Sequence, residues 1–388
     1  MPGVKYELAQ VISSGITGLS KQHGLSKHQL KVLRALVLCR THFLGGHEMT
    51  CQCCGSIKYL YNSCRNRHCP KCGGIDRERW VTSREQDLLP VNYYHVVFTV
   101  PICLHPLFLF HPVKMYQLLF KTCWDVIDSF AQNPRWLGAK TGAVAILHTW
   151  TQLLDYHPHI HFILPAGGID KNGKWKNAAN HQNFLFPVKA MSEVFRAKFA
   201  KNLRLFALEN KIIIRKQIFV QIFEKPWVVY AKEPFNGPKQ VIKYLGKYTH
   251  RVAISNQRIL KIENGKVTFS YRDRNMNYLK KTIAISVVDF LKRFIKHILP
   301  LGFQRIRHYG FLSSRLKTKA LELLRRLMGL PKPIIEKKTW AEIVKTKWNI
   351  DPLICKYCGG KMTVTRLLHP LRAPPFILSP STNNAILK

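Results

Sequence analysis

The stretch DYHPHIHFIL, residues 155–164, decides the fold class because it combines an apolar strand with a row of histidines. His157, His159 and His161 occupy alternate positions, and alternate side chains of a β-strand project from one face. His159 and His161 therefore lie side by side, while Ile160 faces the opposite way. Two imidazoles placed in this way are able to share one metal ion. The stretch predicts a metal-binding strand with a buried reverse face.

The preceding apolar run, AVAILHTW at residues 143–150, offers a further ligand. It is separated from the histidine strand by a turn near Asp155, so the two runs predict a β-hairpin. A simple hairpin registry places His148 near His161, which makes His148 the expected third ligand. Gln152 and Asp155 in the turn compete with it for this role.

The rest of the chain alternates between short β-rich runs and helical patterns. Strands are predicted for YYHVVFTV from residue 93, QIFVQIF from 217, WVVYAK from 227, and residues 266–272. Helices are predicted at 191–209, at 239–250, near 286–298 and near 313–328, and after Ser26, where Ser26 and Gln29 form a capping box. This mixture predicts an α+β fold with a central antiparallel sheet flanked by helices.

A cysteine cluster, CQCCGSIKYLYNSCRNRHCPKCGG, occupies residues 51–74. Cys51 and Cys54 form one CxxC knuckle, and Cys69 and Cys72 form another. Two such knuckles are typical of a tetrahedral four-thiolate Zn²⁺ site. We therefore expect these four cysteines to hold one structural zinc in a zinc-ribbon-like domain.

Other potential ligands lie in and beyond this cluster. Cys53, Cys64, His47 and His68 form a second site, or one of them replaces a cysteine of the first, or they are loop histidines and small buried cysteines. A third CxxC motif near the far end, formed by Cys355 and Cys358, is only half of a zinc site.

Composition defines the class of partner and the number of domains. The chain has 388 residues, of which 46% are hydrophobic, and this is enough for two or three folded domains. Its 61 Lys and Arg against 21 Asp and Glu give a net charge of +40, which indicates a polyanionic partner. Basic residues interleaved with aromatic ones favour nucleic acid over an anionic membrane. With no signal peptide and closely spaced cysteines, the sequence predicts a soluble cytoplasmic protein with reduced thiols.

A second constellation is VIKYLGKYTHRVAISN, residues 241–256. Tyr244 and Tyr248 are four residues apart and share one face of the predicted helix. An aromatic core stripe gives the same spacing. However, Lys243, Lys247 and Arg251 surround the pair, and a phenol among cations near a metal is suited to attack a phosphodiester.

Together these motifs resemble the HUH transposases of the insertion sequence 91 family, which are related to rolling-circle replication initiators. The likeness covers roughly residues 28–366. It rests on the following segments: YNSCRNRHCPKC, HVVFTVP, LHTW, HPHIHFILPAGG, YLGKYTHRVAISN and GFQRIRHYGFL.

The resemblance implies that His159 and His161 bind a divalent cation and that Tyr244 and Tyr248 are nucleophiles. It implies cleavage of single-stranded DNA at the mobile-element ends and target, through a 5′-phosphotyrosine, in rolling-circle-like transposition. Mg²⁺ or Mn²⁺ is the catalytic ion that it implies, whereas ligand softness alone favours Zn²⁺ or another transition metal at imidazoles. It further implies a bacterial protein that is nucleoid-associated when bound to DNA.

The expected domains are a helical lead and zinc-binding domain at 1–89, an HUH endonuclease domain at 90–330, and an extension with a disordered tail at 331–388. The candidate phosphate contacts are Lys243, Lys247, Arg251, Arg272 and Arg274. Two alternatives remain open, a tyrosine recombinase-like strand-exchange enzyme and a non-catalytic zinc-ribbon DNA-binding protein. Metal dependence and the polarity of the tyrosine linkage distinguish the first, and binding without cleavage distinguishes the second.

Overall fold

The computed structural model describes residues 5–85, 87–178, 185–235, 240–241, 246, 251–273, 276–332 and 338–371. Its helices are α1 Leu8–Gln22, α2 Lys27–Leu38, α3 Gly73–Glu85, α4 His105–Phe110, α5 Pro112–Gln132, α6 Val188–Glu209, α7 Lys216–Glu224, α8 Val287–Ile295, α9 Lys317–Leu327 and α10 Trp340–Trp348. Its strands are β1 Gly46–Cys51, β2 Ile57–Tyr61, β3 Tyr93–Thr99, β4 Gly142–Trp150, β5 Tyr156–Pro165, β6 Gly167–Ile169, β7 Trp175–Asn177, β8 Val229–Phe235, β9 Ile259–Glu263, β10 Lys266–Asp273, β11 Leu279–Ser286, β12 Ile306–Gly310 and β13 Met362–Leu368.

A five-stranded antiparallel sheet forms the centre of the molecule, with the strand order β12-β4-β5-β3-β8. The hairpin β4–β5 lies in its middle, so both faces of these strands are covered and nearly every residue of β4 and β5 is buried. Apolar runs that lack alternation with polar residues are typical of such doubly covered strands. The expected α+β fold with a central antiparallel sheet is confirmed.

The two faces of this sheet have different partners. Leu147 of β4, Ile160 of β5 and Phe98 of β3 belong to the largest core, where they pack against helices α5 and α6. On the opposite face, Val144, Ile146 and Ile163 form a smaller core with helix α9. Because strand side chains alternate, His148, His159 and His161 lie on this second face, which we call the histidine face.

The N-terminal helices pack against the later part of the chain. Helix α2 begins with the predicted capping box, in which Ser26 and Gln29 hydrogen-bond each other's backbone. Helix α1 packs along α8, and Gly15 makes this approach possible because a Cβ there would lie 2.2 Å from Val287. The shared core extends to Phe269 of the β9–β10–β11 sheet. The segment before the cysteine cluster is thus folded onto residues more than 250 positions away.

A separate three-stranded sheet has the order β13-β1-β2. Strand β13 returns from the far end of the chain and pairs with β1 antiparallel, with Cys51 opposite Met362. The sequence offered no prediction of this pairing, because it joins segments separated by about three hundred residues.

Three segments differ from their predicted structure or lie partly outside the described residues. QIFVQIF, predicted as a strand, is helix α7, and only Ile222 in it is buried, while Val220 faces solvent. Of the predicted helix at 239–250, Gln240, Val241 and Gly246 are described and are helical. The predicted disordered tail falls mostly in 372–388, outside the described residues. Among the described helices, none has the length and apolar character needed to cross a membrane.

Candidate functional site

Three histidines converge on the histidine face of the central sheet. The ligand nitrogens of His148, His159 and His161 all lie within 4.8 Å of one another. His148 and His161 are buried, with 2% and 7% of their surfaces exposed, whereas His159 is half-buried. The cluster is therefore enclosed on the protein side and accessible from the side of His159.

The register of the hairpin differs from the simple prediction. His148 is paired with His159, and Ile146 is the partner of His161. A β-bulge between His148 and Trp150 shifts the strands beyond this point. The ring of His148 still contacts both neighbours, with centroid distances of 5.6 Å to His159 and 4.6 Å to His161.

The remaining nitrogens of two of these rings meet defined partners. Nδ1 of His159 lies 2.6 Å from the carbonyl oxygen of His157, and Nδ1 of His161 lies 2.9 Å from Nε2 of His95. His95 is 3% exposed, and its ring stacks on that of His161. Such contacts fix the tautomer of a metal-binding histidine and direct its other nitrogen to the metal. His95 therefore belongs to the site, although the sequence analysis did not select it.

Electrostatics favour the neutral form of His161. Burial is the main cause that lowers the pKa of His161 well below its usual range, and the rings of His148 and His159 add to the effect. Arg251 also lowers this pKa, so its charge is close to the cluster. Neutral imidazole is the metal-ligating form, and a three-histidine donor set fits a divalent cation. His157 supplies its backbone carbonyl to this arrangement.

The predicted tyrosine nucleophiles, Tyr244 and Tyr248, lie outside the described residues. So do Lys243, Lys247 and Arg274 of the predicted phosphate contacts. The chain on either side is described: Val241 is buried among Ile146 and Ile163 on the histidine face, and Arg251 follows the segment on its other side. Val241 thus shares an apolar core with Ile146 and Ile163, and the charge of Arg251 acts on His161.

A basic hairpin lies beyond this segment. Arg272 of β10 is exposed and stands opposite Lys280 of β11, which is also exposed. Tyr278 is exposed at the same end of the hairpin, and its carbonyl oxygen accepts a hydrogen bond from Arg272. Cations beside an exposed aromatic ring are typical of single-strand binding surfaces.

The cysteines form two groups rather than the one expected. Cys39, Cys64, Cys69 and Cys72 make up the first thiol group, and Cys51, Cys54, Cys355 and Cys358 make up the second. The predicted site built from Cys51, Cys54, Cys69 and Cys72 is therefore wrong, because the two knuckles lie in different groups. Cys51 and Cys54 are grouped with Cys355 and Cys358, and Cys69 and Cys72 are grouped with Cys39 and Cys64. Cys39 was missed, since a lone cysteine at the end of helix α2 carries no motif.

The first thiol group lies in the core that joins helices α1 and α2 to the rest of the chain. Sγ of Cys72 is 3.3 Å from Sγ of Cys39 and 3.5 Å from that of Cys64. Thiolates bound to one tetrahedral Zn²⁺ are about 3.8 Å apart, and a disulfide would be about 2.05 Å. Hydrogen bonds from the thiols, that of Cys39 foremost, lower the pKa of Cys72. This donor set fits zinc.

His68 and Cys53, two of the residues left unassigned, are in neither thiol group. Burial, followed by the charges of Arg305 and Arg67, lowers the pKa of His68 to about 3. All eleven cysteines of the chain are free of disulfide bonds.

Comparison with known proteins identifies the class. A family model described as "Putative transposase" matches residues 142–320, and one described as "Transposase zinc-binding domain" matches residues 11–100. The first match contains the hairpin with its three histidines, and the second contains the whole first thiol group. The histidine-bearing sheet and the cysteine-rich N-terminal region thus define a transposase with a zinc-binding domain.

Two curated relatives extend over most of the chain. "Putative transposase y4qJ" of Sinorhizobium fredii is 40% identical over 327 residues, which cover 80% of this chain and 81% of the relative. "Transposase for insertion sequence element IS801" of Pseudomonas savastanoi pv. phaseolicola is 29% identical over 366 residues, covering 91% and 87%. The chain belongs to the insertion sequence 91 family of transposases. No solved structure matches it significantly.

Proposed function

We propose that this transposase nicks and rejoins single-stranded DNA through a covalent 5′-phosphotyrosine, in rolling-circle-like transposition. The observation that carries the proposal is the arrangement around the histidine face. Val241 packs on that face, Arg251 lowers the pKa of His161, and the segment between them contains Tyr244 and Tyr248. These two described residues flank the proposed nucleophiles in sequence, and this supports the proposal that a tyrosine acts together with the three histidines.

In this proposal the tyrosines carry out nucleotidyl transfer. The phenol of one tyrosine loses its proton and attacks the phosphorus, forming a phosphotyrosine as the bond to the 3′ oxygen breaks. The 3′ oxygen takes up a proton and leaves as a hydroxyl, so the bond energy is kept for rejoining. A 3′-hydroxyl reverses the step when the strand is transferred. With two tyrosines, one holds a cleaved strand while the other attacks the next junction.

His148, His159 and His161 would hold the divalent cation, which we propose to be Mg²⁺ or Mn²⁺. When bound, such an ion polarises the phosphodiester and stabilises the charge that develops on it. His157 and His95 orient two of the ligand rings through Nδ1. Arg251, whose charge acts on His161, and the exposed Arg272 would contribute positive charge that attracts a phosphate backbone.

We further propose that the first thiol group holds the zinc of the family's N-terminal domain. Its four cysteines lie within the matched residues 11–100, and their sulfur separations fit a tetrahedral ion. Because this group lies in the core shared with α8, its zinc would also stabilise the contact between the N-terminal helices and the rest of the chain.

The test is to incubate the protein with labelled single strands covering the DNA that flanks its gene, with Mn²⁺ or with a chelator. The expected product is an adduct that survives SDS, requires the metal, and maps to a 5′ phosphate. Tyr244→Phe and Tyr248→Phe are tested singly and together, with Tyr230→Phe as the control because Tyr230 is exposed on β8. Loss of the adduct in the double variant alone assigns the nucleophiles.

Other outcomes would contradict the proposal. A metal-independent 3′-phosphotyrosine would indicate a tyrosine recombinase. Tight binding with no adduct on any strand would indicate a protein that binds DNA without cleaving it.

A further inference from the structure

The second thiol group unites the two ends of the chain. Cys51 is the last residue of strand β1 and Cys54 follows it, whereas Cys355 and Cys358 precede strand β13, and the two strands pair side by side. We propose that these four cysteines bind a second Zn²⁺, distinct from the zinc of the first thiol group. The matched zinc-binding domain ends at residue 100, so it contains only half of this site.

The two knuckles have the same backbone conformation. In the first, the N–H of Gly55 donates to the carbonyl of Cys51, and the N–H of Cys51 donates to Ser56. In the second, Gly359 donates to Cys355, and Cys355 donates to Gly360, at the same residue spacing. Gly55 and Gly359 both have a positive φ, of 67° and 73°. Each CxxCG segment thus forms the turn that directs its two sulfurs to one side.

The sulfur separations match those around a single ion. Sγ of Cys51 is 3.4 Å from Sγ of Cys358, and Sγ of Cys54 is 3.8 Å from Sγ of Cys355. These values are near the separation of about 3.8 Å for thiolates on tetrahedral zinc, and too long for a disulfide. The two close pairs each join one knuckle to the other. A shared ion, rather than two separate ones, accounts for this geometry.

The space beside the sulfurs is kept open by a glycine. A Cβ on Gly360 would lie 3.1 Å from Sγ of Cys51, 3.3 Å from Sγ of Cys358, and 2.7 Å from Cβ of Cys53. The N–H of Gly360 also points to Sγ of Cys358 at 3.4 Å. Hydrogen bonds of this kind stabilise the thiolate, which is the form that binds metal.

The apolar core of the small sheet is limited to a few residues of the described chain. Its core consists of Met49, Cys51, Cys355 and Met362, with Leu60 packed against them. Strand β2 is largely exposed, and so is most of β13. An apolar cluster this small gives little stability to three strands, and small folds of this kind are commonly stabilised by a structural zinc.

The chemistry of the donors defines the ion. Four thiolates in tetrahedral arrangement select Zn²⁺ or an iron site over Mg²⁺ and Ca²⁺. Structural Zn²⁺ is bound by four protein ligands alone, and it undergoes no redox chemistry. The second zinc would fasten β13 to β1 and keep the neighbouring helix α10 on α3, where Lys347 pairs with Glu78 at 3.2 Å.

The first experiment uses the unmodified full chain, purified without chelator. Zinc and iron are measured per chain, and native thiols are alkylated and located by mass spectrometry. Cys54, Cys358 and Cys53 are all exposed, and Cys53 belongs to neither thiol group, so it is the internal control. We expect two zinc ions per chain, rapid alkylation of Cys53, and protection of Cys54 and Cys358 until a strong chelator is added.

Several results would overturn the proposal. One zinc per chain would do so, as would iron in place of the second zinc, or alkylation of Cys54 and Cys358 at the rate of Cys53. All of these measurements use the unmodified chain, so they do not depend on whether a variant folds.

A second experiment separates the two sites. In Cys355→Ser/Cys358→Ser the zinc content should fall from two to one, and β13 should become sensitive to limited proteolysis. Cys53→Ser should retain both ions. Retention of two zinc ions by the double variant would refute the site. The result does not depend on the cleavage mechanism, since metal content is measured without DNA.

Discussion

His95 offers the sharpest test of the histidine site, because it both stacks on His161 and hydrogen-bonds to it. The two rings stack at a centroid distance of 5.1 Å, and Nδ1 of His161 lies 2.9 Å from Nε2 of His95. With His95 accepting this hydrogen bond, His161 carries its proton on Nδ1 and presents Nε2 to the metal. His95→Phe keeps a flat ring of similar size but removes the acceptor.

The expected magnitude follows from the burial of both rings, which are 3% and 7% exposed. A buried donor that loses its acceptor costs about 1–3 kcal/mol. His161 avoids this cost by moving its proton to Nε2, which removes the lone pair that binds metal. We therefore expect His95→Phe to weaken Mn²⁺ binding about 10–100-fold, since each 1.4 kcal/mol is about a factor of ten.

The measurement is a Mn²⁺ titration in which the free ion is followed by electron paramagnetic resonance. His95→Gln retains a side-chain oxygen as acceptor and should recover most of the affinity. His105→Phe is the matched control, because His105 contacts His157 and Tyr156 but belongs to no metal group of the described residues. Wild-type affinity in His95→Phe, with binding abolished in His161→Ala, would refute the argument about the tautomer. Equal losses in the Phe and Gln variants would assign the effect to packing.

Three further predictions concern stability. Burial lowers the pKa of His297 from 6.5 to about 4, so below pH 6.5 the unfolded chain takes up a proton that the folded chain does not. The free energy of unfolding in urea should therefore fall by up to about 1.4 kcal/mol per pH unit between pH 6.5 and 4. His297→Gln should remove that part of the slope. Gly310→Ala should reduce the free energy of unfolding by more than about 2 kcal/mol, because its Cβ would lie 1.9 Å from the carbonyl of Thr141. Gly302→Ala, which has a similar positive φ but no atom within 4 Å of its Cβ, should reduce it by about 1 kcal/mol. Equal losses of stability in thermal unfolding would refute the clash. Cys64→Ser should reduce the free energy of unfolding by roughly 3–5 kcal/mol through loss of the buried first thiol group, and no change in zinc content or urea midpoint would contradict it.

The strands of the central sheet were predictable because burial on both faces leaves a local signal. YYHVVFTV and AVAILHTW are continuous apolar runs, and both are strands of the sheet. QIFVQIF has the same composition but forms helix α7, since Ile218, Phe219 and Ile222 meet the core at helical spacing. A short apolar run fits either structure, and the choice depends on which face the tertiary contacts cover.

The partners within the sites were less predictable, because they depend on contacts between distant segments. CxxC spacing identifies a knuckle, but it does not identify which other knuckle completes the ion's coordination. Cys51 and Cys54 are 15 residues or more from Cys69 in sequence, yet they meet Cys355 and Cys358 because β13 pairs with β1. Local spacing is therefore a guide to ligand type, and strand pairing decides ligand identity.

The same reasoning explains why the sequence predicts His148 as part of the site but does not predict His95. His148 is linked to the histidine strand by a short turn, so hairpin registry brings it into the prediction. His95 lies on β3, and its contact with His161 is diagonal: Val97 is the direct partner of His161 across the strands. A diagonal contact between strands that are 60 residues apart has no counterpart in the spacing of the sequence.

The two faces of the central sheet divide stability from chemistry. One face is filled by α5 and α6 and supplies the largest apolar core, so the positions of β4 and β5 are fixed without any contribution from the histidines. The other face begins as an apolar core at Val144 and Ile163 and continues into the histidine cluster. The proposed ligands thus lie on strands that are packed on both faces, and such support is what a metal site needs to keep its geometry. Val241 belongs to this same apolar core and stands three residues before Tyr244, so the proposed nucleophiles follow a residue whose packing does not depend on a bound metal.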